Sequence, residues 1–81
     1  MTKKQNLTFL NSYLHIAKPE VKGKVQKIID NFAARRIRNF ETATNVLDKL
    51  TSGNKKTVNS GLTAYDKVMV KYENAAPVEN L

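Results

Sequence analysis

The chain of 81 residues contains no cysteine and one histidine, and fourteen Lys and Arg residues against seven Asp and Glu residues give it a formal charge of +7. These counts exclude disulfides, thiolate metal sites and multi-histidine metal sites, and the surplus of positive charge favours a polyanionic partner. No segment approaches the ~18 consecutive apolar residues that span a bilayer. The sequence therefore predicts a single domain over 1–81 that is cytoplasmic and not secreted.

A first helix is predicted over 7–17, because apolar residues recur at helical spacing from Leu7 to Leu14. Pro19 ends this helix, since the residue before a proline is disfavoured in the α region. Residues 1–6 are polar, and we predict that they form a flexible end.

A second helix is predicted over 19–36. Pro19 suits its first turn, where a backbone N–H has no partner in the helix, and Glu20 complements the positive end of the helix dipole. Gly23 lies opposite the apolar stripe, so it weakens the helix without disturbing the packed face. The stripe, which we expect to be buried, consists of Val21, Val25, Ile28, Ile29 and Phe32.

Two further helices are predicted over 39–51 and 55–74, with Asn39 as the N-cap of the first and Gly53 in the turn between them. Because this turn is short, the two helices are expected to form an αα-hairpin. Gly61 borders the apolar stripe of the last helix, where a neighbouring backbone can approach closely.

The predicted fold class is all-α, a compact bundle of three to four short helices with a C-terminal helical hairpin. No run of residues alternates between apolar and polar with hairpin turn chemistry, which argues against strands. Residues 75–81 contain Pro77 and little periodicity, so they are predicted to form a second flexible end.

Enzymatic chemistry finds little support in the sequence. His15 is the one candidate general base, and no acidic residue lies near it along the chain. The acids are scattered without metal-ligand spacing, and no glycine-rich phosphate loop is present. We therefore predict a protein that is not an enzyme, with no cofactor, no metal and no small-molecule substrate.

The basic residues are the informative feature. All three arginines lie at the junction between the second and third predicted helices, and the planar guanidinium group is suited to phosphate. Basic residues and one asparagine on the second helix continue the helical spacing toward this junction, so they could follow a nucleic-acid backbone. The predicted nucleic-acid-binding residues are Arg35, Arg36, Arg38, Lys24, Lys27, Asn31, Lys55 and Lys56.

Other interpretations of these charges stay open. A solvated charged face explains each cation singly, and arginines near a helix C-terminus complement the helix dipole. A helix-turn-helix interpretation places Asn39, Thr42, Asn45 and Lys49 on the outer face of a recognition helix. Glu41 and Asp48 share that face and would repel phosphates. A membrane-surface role is disfavoured, because the apolar faces are needed for a core.

The stretch 35–68 reads RRIRNFETATNVLDKLTSGNKKTVNSGLTAYDKV. It combines an arginine-rich lead, an Asn-Phe-x-Thr-Ala start, a helix that ends in leucine, and Ser-x-Asn-Lys-Lys at the opening of the next helix. In these features it resembles short helical segments of proteins from giant DNA viruses and their virophages. The resemblance covers about 40% of the chain. It implies a viral or mobile-element origin and supplies no catalytic residues.

The function predicted from the sequence is non-enzymatic binding of DNA or RNA through Lys and Arg contacts to phosphates, with little sequence specificity. The alternative is a protein-interaction or self-assembly module, such as a homodimer. A core this small makes the alternative reasonable, because a second copy would bury one more apolar face.

Overall fold

Five helical elements follow one another in a computed structural model of the protein, which describes residues 2–72. They are α1 (Lys3–Asn11), α2 (Tyr13–Ile16), α3 (Pro19–Ala33), α4 (Phe40–Leu50) and α5 (Lys55–Tyr72). Only Ser12 separates the first two, and no strand occurs within these 71 residues. The all-α prediction is confirmed, and so is the helical hairpin, since α4 and α5 form the most extensive helix pair.

The first helix begins at Lys3, four residues before the predicted start. Thr2 caps it, because its Oγ1 accepts a hydrogen bond from the Gln5 N–H at 3.1 Å. In return the Gln5 side chain accepts from the Thr2 N–H at 2.8 Å. This reciprocal capping box satisfies two backbone donors that no helix can pair internally. The capping box therefore makes residues 3–6 helical although their composition is polar.

The helical backbone is interrupted at Ser12 and stops before Pro19. The Ser12 hydroxyl donates to the Phe9 carbonyl at 2.5 Å, which competes with the regular backbone ladder. Ala17 and Lys18 are both extended, with ψ angles of 132° and 152°. Proline thus ends one helix and opens the next, as the sequence predicted.

The core lies where one face of α3 meets α1, α2 and α4. Every residue of the predicted α3 stripe is buried, while Gly23 is exposed with open space around it. The side chains that are almost completely inaccessible to solvent come from α1, α3, the loop after α3, and α4. The largest of them are Leu10, Val25, Ile28, Ile37, Leu47 and Leu50.

The hairpin between α4 and α5 is capped at both of its N-termini. The Asn39 side chain accepts from two backbone N–H groups at 2.8 and 3.2 Å, which confirms the predicted cap. Asn54 does the same for α5, at 2.9 and 3.3 Å. Gly61 is buried at the contact between the helices. The predicted end of the last helix at residue 74 and the predicted flexible end 75–81 lie outside the described residues.

A polar pair joins α2 to α4. The Tyr13 hydroxyl donates to the carboxylate of Asp48, and the tyrosine ring itself is buried. Burial raises the pKa of the Tyr13 phenol, and the hydrogen bond and charge of Asp48 raise it further.

Within residues 2–72, no helix combines the length and the apolar character that a membrane span requires.

Candidate nucleic-acid interface

The end of α3 is closed by backbone N–H groups of the loop that follows it and by the Lys3 side chain. Its last four carbonyls, those of residues 30–33, all accept hydrogen bonds. The first three accept from N–H groups of the loop 34–39, at distances between 2.9 and 3.1 Å. The fourth, of Ala33, accepts from the Lys3 ammonium at 2.8 Å. α3 therefore ends at Ala33, and the prediction that it continues to residue 36 was wrong.

Arg35 occupies the position that turns the chain away from the helix. It has a φ angle of 64°, and the N–H of the next residue, Arg36, bonds back to the Asn31 carbonyl at 2.9 Å. This is the Schellman arrangement, in which glycine is the usual residue because a side chain in the left-handed region costs ~1–2 kcal/mol. The predicted helical row that ran on through Arg35 to Arg38 is broken here.

Replacing Arg35 by glycine is expected to raise the free energy of unfolding. Relative to Arg35→Ala, which also lacks the guanidinium but keeps a Cβ, the gain should be about 1 kcal/mol, because glycine removes the left-handed strain. Urea denaturation of both variants measures the difference. Equal stability of the two variants would contradict the assignment of strain to this position.

Arg35 and Arg38 line a hollow of about 280 Å³ between the loop 34–39 and the start of α1. The loop is anchored by Ile37, which is fully buried. Because Ile37 faces the core, the neighbouring Arg38 is exposed and Arg35 is half-buried. We call this the arginine hollow, and its lining residues are Lys3, Asn6, Phe32, Arg35, Ile37 and Arg38.

The arginine hollow is cationic without an acidic residue in its lining. Lys3, Arg35 and Arg38 contribute three positive charges from two parts of the chain that are more than thirty residues apart. Within residues 2–72, neither Arg35 nor Arg38 forms an ion pair. Like charges that converge on a partly enclosed space add their potentials, so this is a place where an anion is attracted.

Asn6 also lines the hollow. Its side-chain oxygen, Oδ1, is buried and has no hydrogen-bond donor within the described residues. A buried acceptor without a donor costs free energy, so the packing beside the hollow is not optimal.

Asn31, a predicted contact residue, lies in the interior. Only 8% of its surface is exposed. Its amide nitrogen donates to the Lys27 carbonyl at 2.8 Å and approaches the Met69 sulfur at 3.9 Å. The backbone carbonyl of Asn31 accepts hydrogen bonds from two N–H groups of the loop 34–39. The structure therefore buries the Asn31 side chain, and the backbone carbonyl of this residue holds the loop 34–39 in place.

Lys24 and Lys27 line a second hollow, between α3 and α5, which also contains Glu20 and Tyr65. The Lys24 ammonium lies 4.9 Å from the centroid of the Tyr65 ring, within the range of a cation–π interaction. Lys24 thus covers an aromatic ring, and Glu20 offsets part of the positive charge. These two lysines do not line the arginine hollow.

Lys55 and Lys56 are exposed at the start of α5. Lys55 lines a third hollow, again together with Glu20. Arg36 is half-buried, lines none of the three hollows and has an interaction partner of its own. Of the eight predicted residues, two line the arginine hollow, namely Arg35 and Arg38.

Lys3 and Asn6 are the members of the hollow that sequence reasoning missed. They belong to a stretch that we predicted to be flexible, and nothing local connects them to residues 35–38. The pattern that could have placed them is the capping box formed by Thr2 and Gln5, since it starts the helix one turn earlier. With α1 extended, Lys3 and Asn6 lie on successive turns.

The one histidine and all acidic residues within 2–72 lie outside the lining of the arginine hollow. Among residues 2–72, no group of three or more His, Cys, Asp or Glu residues is placed to hold a metal ion. His15 is exposed at the end of α2. The lining of the arginine hollow consists of cationic, amide and apolar side chains, which can attract and hydrogen-bond an anion.

No protein-family model matches this chain, and no curated protein or solved structure matches it significantly. The viral or mobile-element origin implied by the stretch 35–68 stays a prediction.

Proposed function

We propose that this protein binds nucleic acid without catalysis, through contacts of its cationic side chains with phosphates and with little sequence specificity. The observation that carries the proposal is the arginine hollow, where Lys3, Arg35 and Arg38 converge and no acidic residue lines the space. Guanidinium groups bind phosphate through two parallel N–H donors, which suits them to this contact.

The distribution of charge along the chain supports a polyanionic partner. All fourteen Lys and Arg residues lie within 2–72, whereas Glu73 and Glu79, two of the seven acids, lie outside that range. The helical domain is therefore more basic than the chain as a whole. Such an excess is unnecessary for folding, and it attracts a polyanion over a longer range than any single contact.

The helix-dipole explanation of the arginines loses force at Arg35 and Arg38. Cations near a helix C-terminus stabilise it by neutralising the last carbonyls. Here Lys3 and the backbone N–H groups of the loop 34–39 already satisfy those carbonyls. The two guanidinium groups are thus left for an external anion.

The test compares the salt dependence of binding in matched variants. Each phosphate that is neutralised contributes about 0.9 to the slope of log K against log salt on duplex DNA, and about 0.7 on a single strand. Replacing both Arg35 and Arg38 by alanine should therefore reduce the slope on a duplex by about 2. Fluorescence anisotropy of labelled random-sequence DNA between about 50 and 200 mM salt measures it.

The control replaces Lys22 and Lys67 by alanine. Both lysines are exposed and line none of the three hollows, so this variant loses the same charge at other places. We expect the control to retain most of the slope. An affinity that does not change with salt, or equal effects of the two double variants, would contradict a phosphate site at the arginine hollow.

Self-association is the second candidate function. Ile16 and Val70 are 63% and 76% exposed, and burying such side chains against a second copy is favourable. Light scattering on the samples used for binding separates a single chain of 9.1 kDa from an assembly.

We further propose that the protein acts in the cytoplasm, where nucleic acid is accessible to a basic domain.

A further inference from the structure

An exposed aromatic ring lies one helical turn after Asn6, a residue of α1 that lines the arginine hollow. Phe9 is 48% exposed, although it belongs to an aromatic cluster. Its ring contacts those of Tyr13 and Phe40 edge to face, with centroid distances of 5.8 and 5.7 Å. These contacts with Tyr13 and Phe40 hold the ring in place, so the exposed part of Phe9 presents a fixed apolar surface to solvent.

The cluster connects Phe9 to the arginine hollow. Phe40 packs edge to face on Phe32 at 6.0 Å, and Phe32 lines the hollow beside Arg35 and Arg38. On the other side, Asn6 lines the hollow and lies one helical turn before Phe9. An exposed ring and a cationic hollow are therefore joined both through packed rings and along α1.

We infer that this surface binds single-stranded nucleic acid, with a phosphate at Arg35, Arg38 and Lys3 and an unpaired base stacked on Phe9. The inference rests on the proposed function and specifies its substrate class. Single-strand binding proteins combine a cationic groove with aromatic side chains on which bases stack. In a duplex the faces of the bases are covered by their neighbours, so only an unpaired base can reach the ring.

Ile16 of α2 is also exposed, and it lines none of the three hollows. Exposure alone therefore does not distinguish Phe9, whereas its position beside the hollow does.

The experiment uses the absence of tryptophan from the chain. Phe9→Trp introduces a single tryptophan, whose fluorescence can be excited selectively, and retains an aromatic surface, and Ile16→Trp is the matched control. Titration with a thymidine oligonucleotide should quench the fluorescence of the Phe9 variant, because a stacked base lies against the indole. The Ile16 variant should show little quenching, and a duplex of the same length should quench neither.

Affinity provides the second readout. Phe9→Leu keeps an apolar side chain and removes the ring, so it should weaken binding of the single strand about tenfold, near the lower end of what one stacked base contributes. Its affinity for the duplex should stay unchanged. Circular dichroism of the same sample verifies that the helices remain.

Two failures can be told apart. If labelled DNA of neither kind binds at low salt, the proposed function itself is wrong. If DNA binds and the Arg35 and Arg38 variant weakens it, but Phe9→Leu has no effect and Phe9→Trp is not quenched, only the stacking inference is overturned. Equal quenching by the duplex would overturn it as well.

Discussion

Replacing Ile37 by alanine is expected to lower the free energy of unfolding by about 3 kcal/mol. Ile37 is fully buried, although it lies in a loop between two arginines. Truncating a buried isoleucine removes apolar contacts and leaves a cavity, which together cost ~2–5 kcal/mol. In a domain of this size such a loss is a large fraction of the total stability. Urea denaturation followed by circular dichroism measures it.

The same substitution should weaken nucleic-acid binding, because the anchor of the loop 34–39 positions Arg35 and Arg38. Ile37→Val is the matched control, since it removes one methylene group and should cost only about 1 kcal/mol. If Ile37→Ala lowers the free energy of unfolding no more than Ile37→Val does, the loop is not anchored by this side chain. Binding measured where both variants are fully folded separates the loss of the anchor from global unfolding.

Replacing Gly61 by alanine is expected to destabilise the protein by about 2 kcal/mol, even though alanine favours a helix. A Cβ at this position would lie 2.7 Å from the Cβ of Lys49 and 3.0 Å from the backbone nitrogen of Leu50. Neither atom belongs to the flexible end of a side chain, so α4 and α5 must move apart. Overpacking of this kind costs ~1–3 kcal/mol.

Gly23→Ala is the control for this prediction. Gly23 also lies inside a helix, and nothing lies within 4 Å of the position of its Cβ. There alanine should stabilise the protein by up to about 1 kcal/mol through helix propensity alone. Thermal or urea denaturation of the two variants gives effects of opposite sign. A stabilising Gly61→Ala would contradict the close approach of the two helices.

Much of the fold could be predicted because the patterns that determine it are local. The apolar stripe of α3, the N-cap at Asn39 and the helix boundary at Pro19 each depend on residues within a few positions of one another. Gly61 was also recognised, since a glycine beside an apolar stripe marks a place where backbones can meet. Periodicity and cap chemistry are sufficient for features of this kind.

The end of α3 could not be predicted because its usual marker is absent. Glycine normally occupies the left-handed position after a helix, whereas here Arg35 does. Once the chain turns at Arg35, the residues that follow leave the face on which the helical spacing placed them. The burial of Ile37 and the exposure of Arg38 both follow from this turn.

Only part of the candidate site could be predicted, because the rest depends on contacts between distant segments of the chain. The arginines were identified by their composition and proximity in sequence, but Lys3 reaches them only through the packing of α1 against α3. Asn31 has the helical spacing of the predicted row of basic residues on α3. Its side chain instead contacts a backbone carbonyl of its own helix and the sulfur of Met69 of α5. Contacts between distant segments of the chain leave no local pattern to read.

The weak anchoring of α1 links ligand binding to local unfolding. Leu10 is the one fully buried residue of this helix, and Lys3 and Lys4 place positive charge at the end where the helix dipole is also positive. An element held in this way opens at lower free energy than the rest of the domain. Because Lys3, Asn6 and Phe9 all belong to α1, binding of an anion between this helix and the loop after α3 would stabilise the closed state by a free energy that rises with the logarithm of the anion concentration.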